Sequence, residues 1–340
     1  MDGLTLSNAR GVQVRILTYG ATVQSLSVPD RNGNLGDVVL GYPDMAGYLA
    51  DPNYCGAVVG RYANRIAGGR FALGNRNFSL AQNDGDNSLH GGFRGFSKQL
   101  WSIEDVREGP LPSVTLGYTS PDGEEGFPGT LSATATYSLD DEGRLDLTIE
   151  ARTDELTIAN LTGHAYFNLA GEACRASTLN HRLQINADHY TPIGRDLIPV
   201  GVLAPVAGTP FDFRAPALVG DRIGEIDNEQ ILFGNGYDHN FVISDAVSAE
   251  TRLAARLEEP GSGRVMELWT NQPGLQFYSG NFLRSTVAGK NGQMFRQSDA
   301  LALEPQLFPD TPNQPGFGSA ELHPGQLYRN KISYRFSTLA

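Results

Sequence analysis

Apolar and polar side chains alternate along much of the chain, a pattern typical of strands that bury one of their two faces. The alternation is clearest in six segments, at residues 12–16, 131–139, 145–149, 183–185, 265–269 and 332–336. Turn sequences rich in Asp, Asn and Gly lie between them. Sustained helical periodicity is absent, and the best candidate helices are short, near residues 45–49 and 219–226. The pattern predicts an all-β fold, a sandwich or a barrel, with few short helices.

The number of domains does not follow from length, because 340 residues are enough for one large β domain or two ordinary ones. The 40 glycines and 19 prolines are spread along the sequence rather than collected in a linker. No segment repeats at the period of about 20–50 residues that marks propellers and solenoids. The sequence therefore shows no domain boundary and disfavours both of those repeat architectures.

The net charge of the chain limits the kinds of molecule that it could bind. The net charge is −12 and the chain has no run of Lys or Arg, which argues against binding nucleic acid or anionic lipid. No stretch is long and apolar enough for a membrane span, and the first residues lack the features of a signal peptide. We therefore expect a cytoplasmic protein with a small-molecule ligand; a periplasmic location is the alternative, if a signal peptide has been removed.

Candidate chemistry first appears in residues 160–169. Side chains on a strand point alternately to opposite faces. In this segment Thr162, His164, Tyr166 and Asn168 share one face, and the small and apolar residues between them share the other. The polar face has the composition of a binding cleft, although an ordinary solvent-facing strand side explains this segment equally well.

Two further strands add polar residues of the same kind. In residues 299–305, Leu301 and Leu303 fall on one face and Glu304 falls on the other, in line with two alanines that leave room for a ligand. Partial burial would raise the pKa of this carboxyl towards the range of a general base, whereas a strand-end salt bridge is the simpler alternative. Gln276 and Tyr278 likewise share a face, and an amide beside a phenol suits the binding of sugar hydroxyls.

Loops at residues 60–66, 87–92 and 234–240 hold the remaining polar clusters, and their glycines would let the backbone approach a ligand. None of the six histidines is spaced as HxH or HxxxH, and the two cysteines lie far apart, so we predict no metal site. The chain also lacks a GxSxG elbow and a GxGxxG loop after a strand, which argues against the corresponding hydrolases and dinucleotide enzymes.

These segments, in this order, resemble those of the aldose 1-epimerase (galactose mutarotase) family, and the resemblance runs nearly from end to end. The segments that carry it are residues 18–33, 60–66, 87–92, 161–171, 192–201, 208–212, 237–241 and 272–282. The resemblance implies a single domain over residues 1–340, folded as a large antiparallel β-sandwich with a cleft across one sheet. It also implies an isomerase that interconverts the α and β anomers of a free aldose, such as glucose or galactose, without a cofactor.

Site residues follow from the same resemblance. Glu304 would accept the proton of the C1 hydroxyl, His164 would donate to the ring oxygen, and His90 would assist ring opening. The expected binding residues are Asn64, Arg65, Tyr166, Asp238 and Gln276. The chemistry agrees, because the reaction needs one group that accepts and one that donates a proton near neutral pH. Many members of the family act alone, so we expect a monomer or a dimer.

Two other functions remain open at this stage. A non-catalytic sugar-binding or sensing protein could use the same cleft, although it would not need both Glu304 and His164. A hexose-6-phosphate 1-epimerase would need several basic residues beside the cleft to hold the phosphate. The motifs place only Arg65 there, with Arg61 as a further candidate.

Overall fold

Two antiparallel sheets form the body of the computed structural model, which describes residues 2–174 and 176–339. The larger sheet has nine strands, in the order Ser102–Arg107, Ser113–Ser120, Leu131–Leu139, Arg144–Thr153, Tyr328–Thr338, Arg264–Thr270, Arg252–Glu258, Arg182–Ile185 and Ala217–Leu218. The second has six, in the order Tyr166–Phe167, Leu301–Gln306, Gly274–Tyr278, Asp238–Val242, His189–Tyr190 and Ala204–Pro205. The all-β prediction is confirmed.

Five smaller sheets accompany these two among the described residues. A four-stranded sheet near the N-terminus contains Gly3–Ser7, Gln13–Leu17, Thr22–Pro29 and Leu35–Asp37. The four two-stranded pairs are Thr157–Ile158 with Glu321–Leu322, Val58–Val59 with Thr162–Gly163, Arg65–Ile66 with Ser88–Leu89, and Arg70–Leu73 with Arg76–Ser79. All of these pairings are antiparallel.

Helices are few and short, as the sequence pattern predicts. The candidate at 45–49 is confirmed as Met45–Ala50, where the Asp44 side chain accepts a hydrogen bond from the backbone N–H of Gly47. The candidate at 219–226 is wrong, since only Val219–Asp221 forms a single 3₁₀ turn. The second α-helix is Glu229–Gly234, which begins after an Asn228 cap. No helix among the described residues is long and apolar enough to cross a membrane.

The main core lies between the two large sheets. Each sheet contributes alternate residues to it, including Leu147 and Ile149 from one sheet and Leu275, Phe277 and Leu303 from the other. The six alternating segments of the sequence all overlap strands, because their apolar positions supply this core. Burial of such side chains stabilises the fold by about 25 cal/mol per Å² of apolar surface.

The outer face of the six-stranded sheet is polar at its centre. Leu301 and Leu303 point into the main core, so Glu304 points to the opposite face, as the alternation predicts. The same holds for Gln276 and Tyr278, whose neighbours Leu275 and Phe277 are core residues. This outer face is where the candidate site lies.

Residues 160–169 do not form one continuous strand. The segment divides into Thr162–Gly163 and Tyr166–Phe167, which pair with different strands. His164 lies at the break, where its backbone N–H donates to Ala57 O and its carbonyl accepts from Gly56 N–H. Despite the break in the strand, the side chains of His164 and Tyr166 lie on the same face and line the same cleft.

Replacement of Leu303 by alanine should lower the free energy of unfolding by ~2–5 kcal/mol, because it removes a fully buried side chain between the sheets. The matched control is Leu111→Ala, at a half-exposed position, which should change stability by less than ~0.5 kcal/mol. Denaturant unfolding of both variants measures the difference. Equal shifts of the two midpoints would contradict the placement of Leu303 in the core.

Candidate active site

A cleft of about 750 Å³ opens on the outer face of the six-stranded sheet. Of the eight residues that the sequence singles out, seven line it: Asn64, Arg65, His90, His164, Tyr166, Asp238 and Glu304. These residues are far apart in sequence and come from two loops, four strands and the short break around His164. The cleft therefore brings together the acid, base and amide groups that a sugar would contact.

Glu304 lies on the floor of the cleft with only 2% of its surface exposed. One carboxyl oxygen, Oε1, is 3.7 Å from Nε2 of His164, and Oε2 has no partner among the described residues. Burial raises the pKa of this carboxyl well above its usual range, the nearby Asp238 adds to the rise, and Arg65 partly offsets it. The expected elevation of the Glu304 pKa is therefore confirmed in direction.

His164 faces Glu304 and is equally buried. Its ring packs against those of Tyr166 and His90, with centroids 5.0 and 5.1 Å away. Burial lowers the pKa of His164 to about 4, because the imidazolium loses its hydration. Burial thus disfavours the charged form of both partners, which favours states in which the pair holds a single proton between them.

His90 has its proton position fixed by the backbone. The backbone N–H of Asn64 donates to the ring Nδ1 of His90 at 3.1 Å. In return, the backbone N–H of His90 donates to the carbonyl of Asn64 at 3.1 Å. Because Nδ1 accepts a hydrogen bond, the proton of the neutral ring must be on Nε2. Burial lowers the pKa of His90 well below its usual range, with further contributions from His164 and Arg65. His90 is therefore a neutral hydrogen-bond donor.

Arg65 connects two acidic residues at one side of the cleft. Its Nε donates to Asp84 Oδ2 at 2.7 Å, and its Nη1 lies 3.8 Å from Asp238 Oδ2. Burial alone would lower the pKa of Arg65, but Asp238 and Asp84 raise it, so the guanidinium stays charged. Burial raises the pKa of Asp238, and Arg65 and Gln276 counteract that rise. The arrangement holds a charged donor and a carboxylate acceptor ready for hydroxyl groups.

Gln276 does not line the cleft, in contrast to the other predicted residues. Its Nε2 donates to Asp238 Oδ1 at 2.6 Å, and it lies directly opposite Glu304 in the register of their two strands. Since a carboxylate can only accept, this bond fixes the orientation of the amide. Gln276 therefore orients the carboxyl group of Asp238 without lining the cleft itself.

Tyr54 is a cleft residue that the sequence analysis did not identify. Its ring packs against His90 and His164, with centroids 4.8 and 5.8 Å away, and its backbone is left-handed with φ of 62°. Asp51 orients this loop by accepting from Cys55 N–H, and Asn53 connects it to the carbonyl of Arg284. A lone Tyr in an irregular loop gives no periodic signal, and the available sequence signal is the turn-forming pair Pro52 and Asn53 just before it.

The arrangement of donors also bears on metal binding. Among the described residues, His90, His164 and Glu304 offer one possible ligand atom each, all within 4.8 Å of one another. His90 fits a metal poorly, because the hydrogen bond at Nδ1 leaves the proton on Nε2, the nitrogen that would have to bind the ion. The absence of a metal from the function stays a prediction.

Comparison with known proteins identifies the family of the chain. The sequence model of the family described as aldose 1-epimerase matches residues 2–335. The chain belongs to the aldose 1-epimerase family. The resemblance inferred from the sequence motifs is thereby confirmed.

Curated relatives in this family are similar over nearly their whole length. Galactose mutarotase from Mus musculus is 44% identical over 326 residues, which cover 96% of this chain and 91% of the relative. Aldose 1-epimerase from Escherichia coli K12 is 36% identical over 335 residues, covering 98% and 94%. The present chain and these relatives therefore have similar lengths and match over nearly all of them.

Solved structures confirm the sandwich architecture. The GalM/aldose epimerase homologue from C. elegans superposes with a TM-score of 0.89 at 30% identity, covering 100% of this chain and 99% of that one. Galactose 1-epimerase from Lactobacillus acidophilus gives a TM-score of 0.85 at 32% identity, covering 99% and 95%. The fold of this aldose 1-epimerase family member is thus the galactose mutarotase type.

A buried histidine next to the site should make stability depend on pH. The His239 ring packs against Phe211, and its Nδ1 accepts a hydrogen bond from the Asp238 N–H. Burial lowers the pKa of His239 from 6.5 to about 3. Its contribution is therefore fully present above pH 6.5 and is lost as the pH falls towards 3, by up to ~1.4 kcal/mol per pH unit.

In His239→Asn, whose Oδ1 can replace Nδ1 as the acceptor, the loss of stability between about pH 6 and pH 4 should be less steep than in the unsubstituted chain. The matched control is Phe241→Leu on the same strand, which should lower stability by a similar amount at every pH. Denaturant midpoints measured across this range provide the slopes. Identical slopes for His239→Asn and the parent would contradict the buried neutral histidine.

Proposed function

We propose that this chain is an aldose 1-epimerase that interconverts the anomers of a free aldose, with Glu304 as base and His164 as acid. The observation that carries the proposal is the buried pair itself, with Oε1 and Nε2 separated by 3.7 Å on the floor of an open cleft. Two titratable groups whose environments shift their pKa values in opposite directions are the usual mark of an acid–base site.

Ring opening begins with the pair as a carboxylate and an imidazolium. Glu304 takes the proton of the C1 hydroxyl, and the electrons of that O–H bond form the carbonyl. The C1–O5 bond breaks, and O5 receives the proton of His164. The products are the open-chain aldehyde, a neutral Glu304 and a neutral His164, so the total charge of the pair does not change.

Ring closure reverses these roles. After rotation about C1–C2, O5 attacks the other face of the aldehyde and returns its proton to His164. Glu304 gives its proton to the new C1 oxygen, which becomes the hydroxyl of the opposite anomer. The pair regains its starting protonation, and no electron or group is left over, so the proposed reaction needs no cofactor.

The surrounding side chains have matching roles in this proposal. His90 donates from Nε2 towards O5 or a neighbouring hydroxyl, and Tyr166 provides an aromatic surface beside His164. Arg65 and Asp238 bind hydroxyls on the far side of the ring, with Asn64 next to them. Gln276 supports Asp238. Neutral hydroxyls suit these groups, since each can donate to a carboxylate and accept from a guanidinium.

A phosphorylated aldose is a poorer fit to the charges of the cleft, whose lining has two basic residues, Arg65 and Arg284, against the three acidic residues Asp84, Asp238 and Glu304. Arg65 is already paired with Asp84 and Asp238, and a phosphate beside it would meet these carboxylates as well as Glu304. Arg61 is not available, because it is buried and donates to Ser120 and to the carbonyls of residues 120, 121, 128 and 129. A non-catalytic sugar sensor would have no use for the desolvated acid–base pair.

The proposal takes residues 1–340 as one catalytic domain. Its support is the main core, whose buried members extend from Leu6 to Tyr334. A monomer or dimer and a cytoplasmic location stay predictions.

Glu304→Gln and His164→Asn should each slow catalysed mutarotation at least ~100-fold, since each removes one proton-transfer group. Polarimetry of fresh α-D-glucose and α-D-galactose measures the rate above the spontaneous one. Glu321 and His323 provide the matched control, because they form an exposed Glu–His pair with a separation of 3.3 Å. Glu321→Gln and His323→Asn should leave the rate unchanged. Normal rates in the Glu304 and His164 variants would refute the proposed roles.

The catalysed rate should form a plateau bounded by the pKa values of His164 and Glu304, because the pair is active only while it holds one proton. On the acid side the rate should fall near pH 4, where His164 takes up a second proton. On the alkaline side it should fall only well above the usual carboxyl range, where Glu304 loses the last proton. The pH profile of kcat tests this, and an acid limb near pH 6.5 would contradict a buried His164.

A further inference from the structure

A stripe of buried polar side chains continues beyond Glu304 on the same face of the sheet. Asn240, Gln276 and Glu304 lie directly opposite one another on three adjacent strands, and Gln306 lies two residues beyond Glu304 on the same face. All four are at most 3% exposed. Asn240 and Gln306 do not line the cleft, so the catalytic scheme does not use them.

Six polar atoms in this stripe have no hydrogen-bond partner among the described residues. They are Asn240 Oδ1 and Nδ2, Gln276 Oε1, Glu304 Oε2, and Gln306 Oε1 and Nε2. A buried polar atom that lacks a partner costs ~1–3 kcal/mol, so six neighbouring ones would be a large fraction of the stability of a domain. Such groups are normally satisfied by buried water, which makes two to four hydrogen bonds.

Gly274 brings these groups closer together. It lies opposite Gln306, and a Cβ added to it would be only 2.3 Å from Asn240 Oδ1. The Asn240 amide therefore extends over the glycine towards Gln306, in the space that a side chain would fill. The unpartnered donors of both amides and the unpartnered acceptor oxygens of Gln276 and Glu304 therefore share one face over three adjacent strands.

We propose that the stripe binds ordered water, and that this water connects Glu304 Oε2 to the amides of Asn240 and Gln306, which act as positioning residues. The inference rests on the proposed function of Glu304 as the base. Water held at Oε2 fixes the carboxyl so that Oε1 stays directed at His164. It also donates to the carboxylate and so stabilises the charged form against the cost of burial.

Other ionisable groups around Glu304 remain in place when this water is lost. They are His164, Asp238, Arg65, Tyr166, Tyr278 and Tyr334. A change in the titration of Glu304 after substitution of Asn240 or Gln306 can therefore be assigned to the stripe.

The first test is a high-resolution crystal structure of the unsubstituted protein. We expect water within hydrogen-bond distance of Glu304 Oε2 and of at least one of the Asn240 and Gln306 amides. A dry stripe, in which the amides bond only to each other, would overturn the inference. A dry stripe would not contradict the proposed function, because the crystal structure does not measure the rate of mutarotation.

The second test uses Gln306→Met and Asn240→Leu, which keep the approximate shape of the side chains and remove their hydrogen-bonding groups. Each should lower kcat about tenfold and leave KM within about twofold, because positioning groups behind a reactive residue typically contribute at least this much. The alkaline limb of the pH profile should move to higher pH, since the carboxylate loses its donors. Asn240→Ser, which replaces the amide by a hydroxyl and leaves room for another water, should retain most of kcat.

The matched control is Gln230→Met. Gln230 is also buried, but it bonds to the backbone of Ile193 away from the cleft. This variant should lose stability without a change in kcat or in the pH profile. If Gln306→Met and Asn240→Leu are instead more stable than the parent and keep its kcat and pH profile, the amides have no partner and the inference is wrong. If the parent itself does not accelerate mutarotation, it is the proposed function that fails.

Discussion

The site depends on one physical constraint, the removal of both Glu304 and His164 from water while they stay 3.7 Å apart. Burial makes either charge costly by itself, so a lone carboxylate and a lone imidazolium are both disfavoured and the two groups hold one proton between them. A single shared proton can move in either direction at little net cost, which is what a reversible ring opening requires. The remainder of the cleft serves to keep this pair buried, oriented and accessible to a small polar ligand.

The sandwich provides this constraint through the alternation of its strands. Leu303 is fixed in the main core, and Glu304 must therefore point to the opposite face, towards the cleft. The two alanines expected to leave room for a ligand, Ala300 and Ala302, are instead buried in a second apolar cluster. The same alternation directs the side chains of Gln276 and Asp238 to the outer face. Arg65 thus pairs with Asp238 from the sheet and with Asp84 from a loop. Core packing and the positions of the reactive groups are thus two results of one strand register, and a slip by one residue would destroy both.

The sequence predicts strands better than it predicts contacts between loops. Period-two alternation is a local property, which is why the face of Glu304 follows from its neighbours alone. The support of His90 by the Asn64 backbone, the aromatic contact from Tyr54 and the burial of Arg61 depend on loops that meet only in the folded chain. Likewise, Gly91 is needed because a Cβ there would be 2.0 Å from the carbonyl of Gly60, a contact between backbones rather than with a ligand.

The size of the cleft indicates that the protein, not the ligand, shields the reacting pair from bulk solvent. A hexose has about twelve non-hydrogen atoms, and even at ~30 Å³ for each, the volume of one liquid water, it would fill ~360 Å³. That is about half of the 750 Å³ available, so a bound hexose leaves room for solvent. Glu304 and His164 are nevertheless buried before any ligand arrives. Their electrostatic environment is therefore preorganised, and binding energy need not be used to create it.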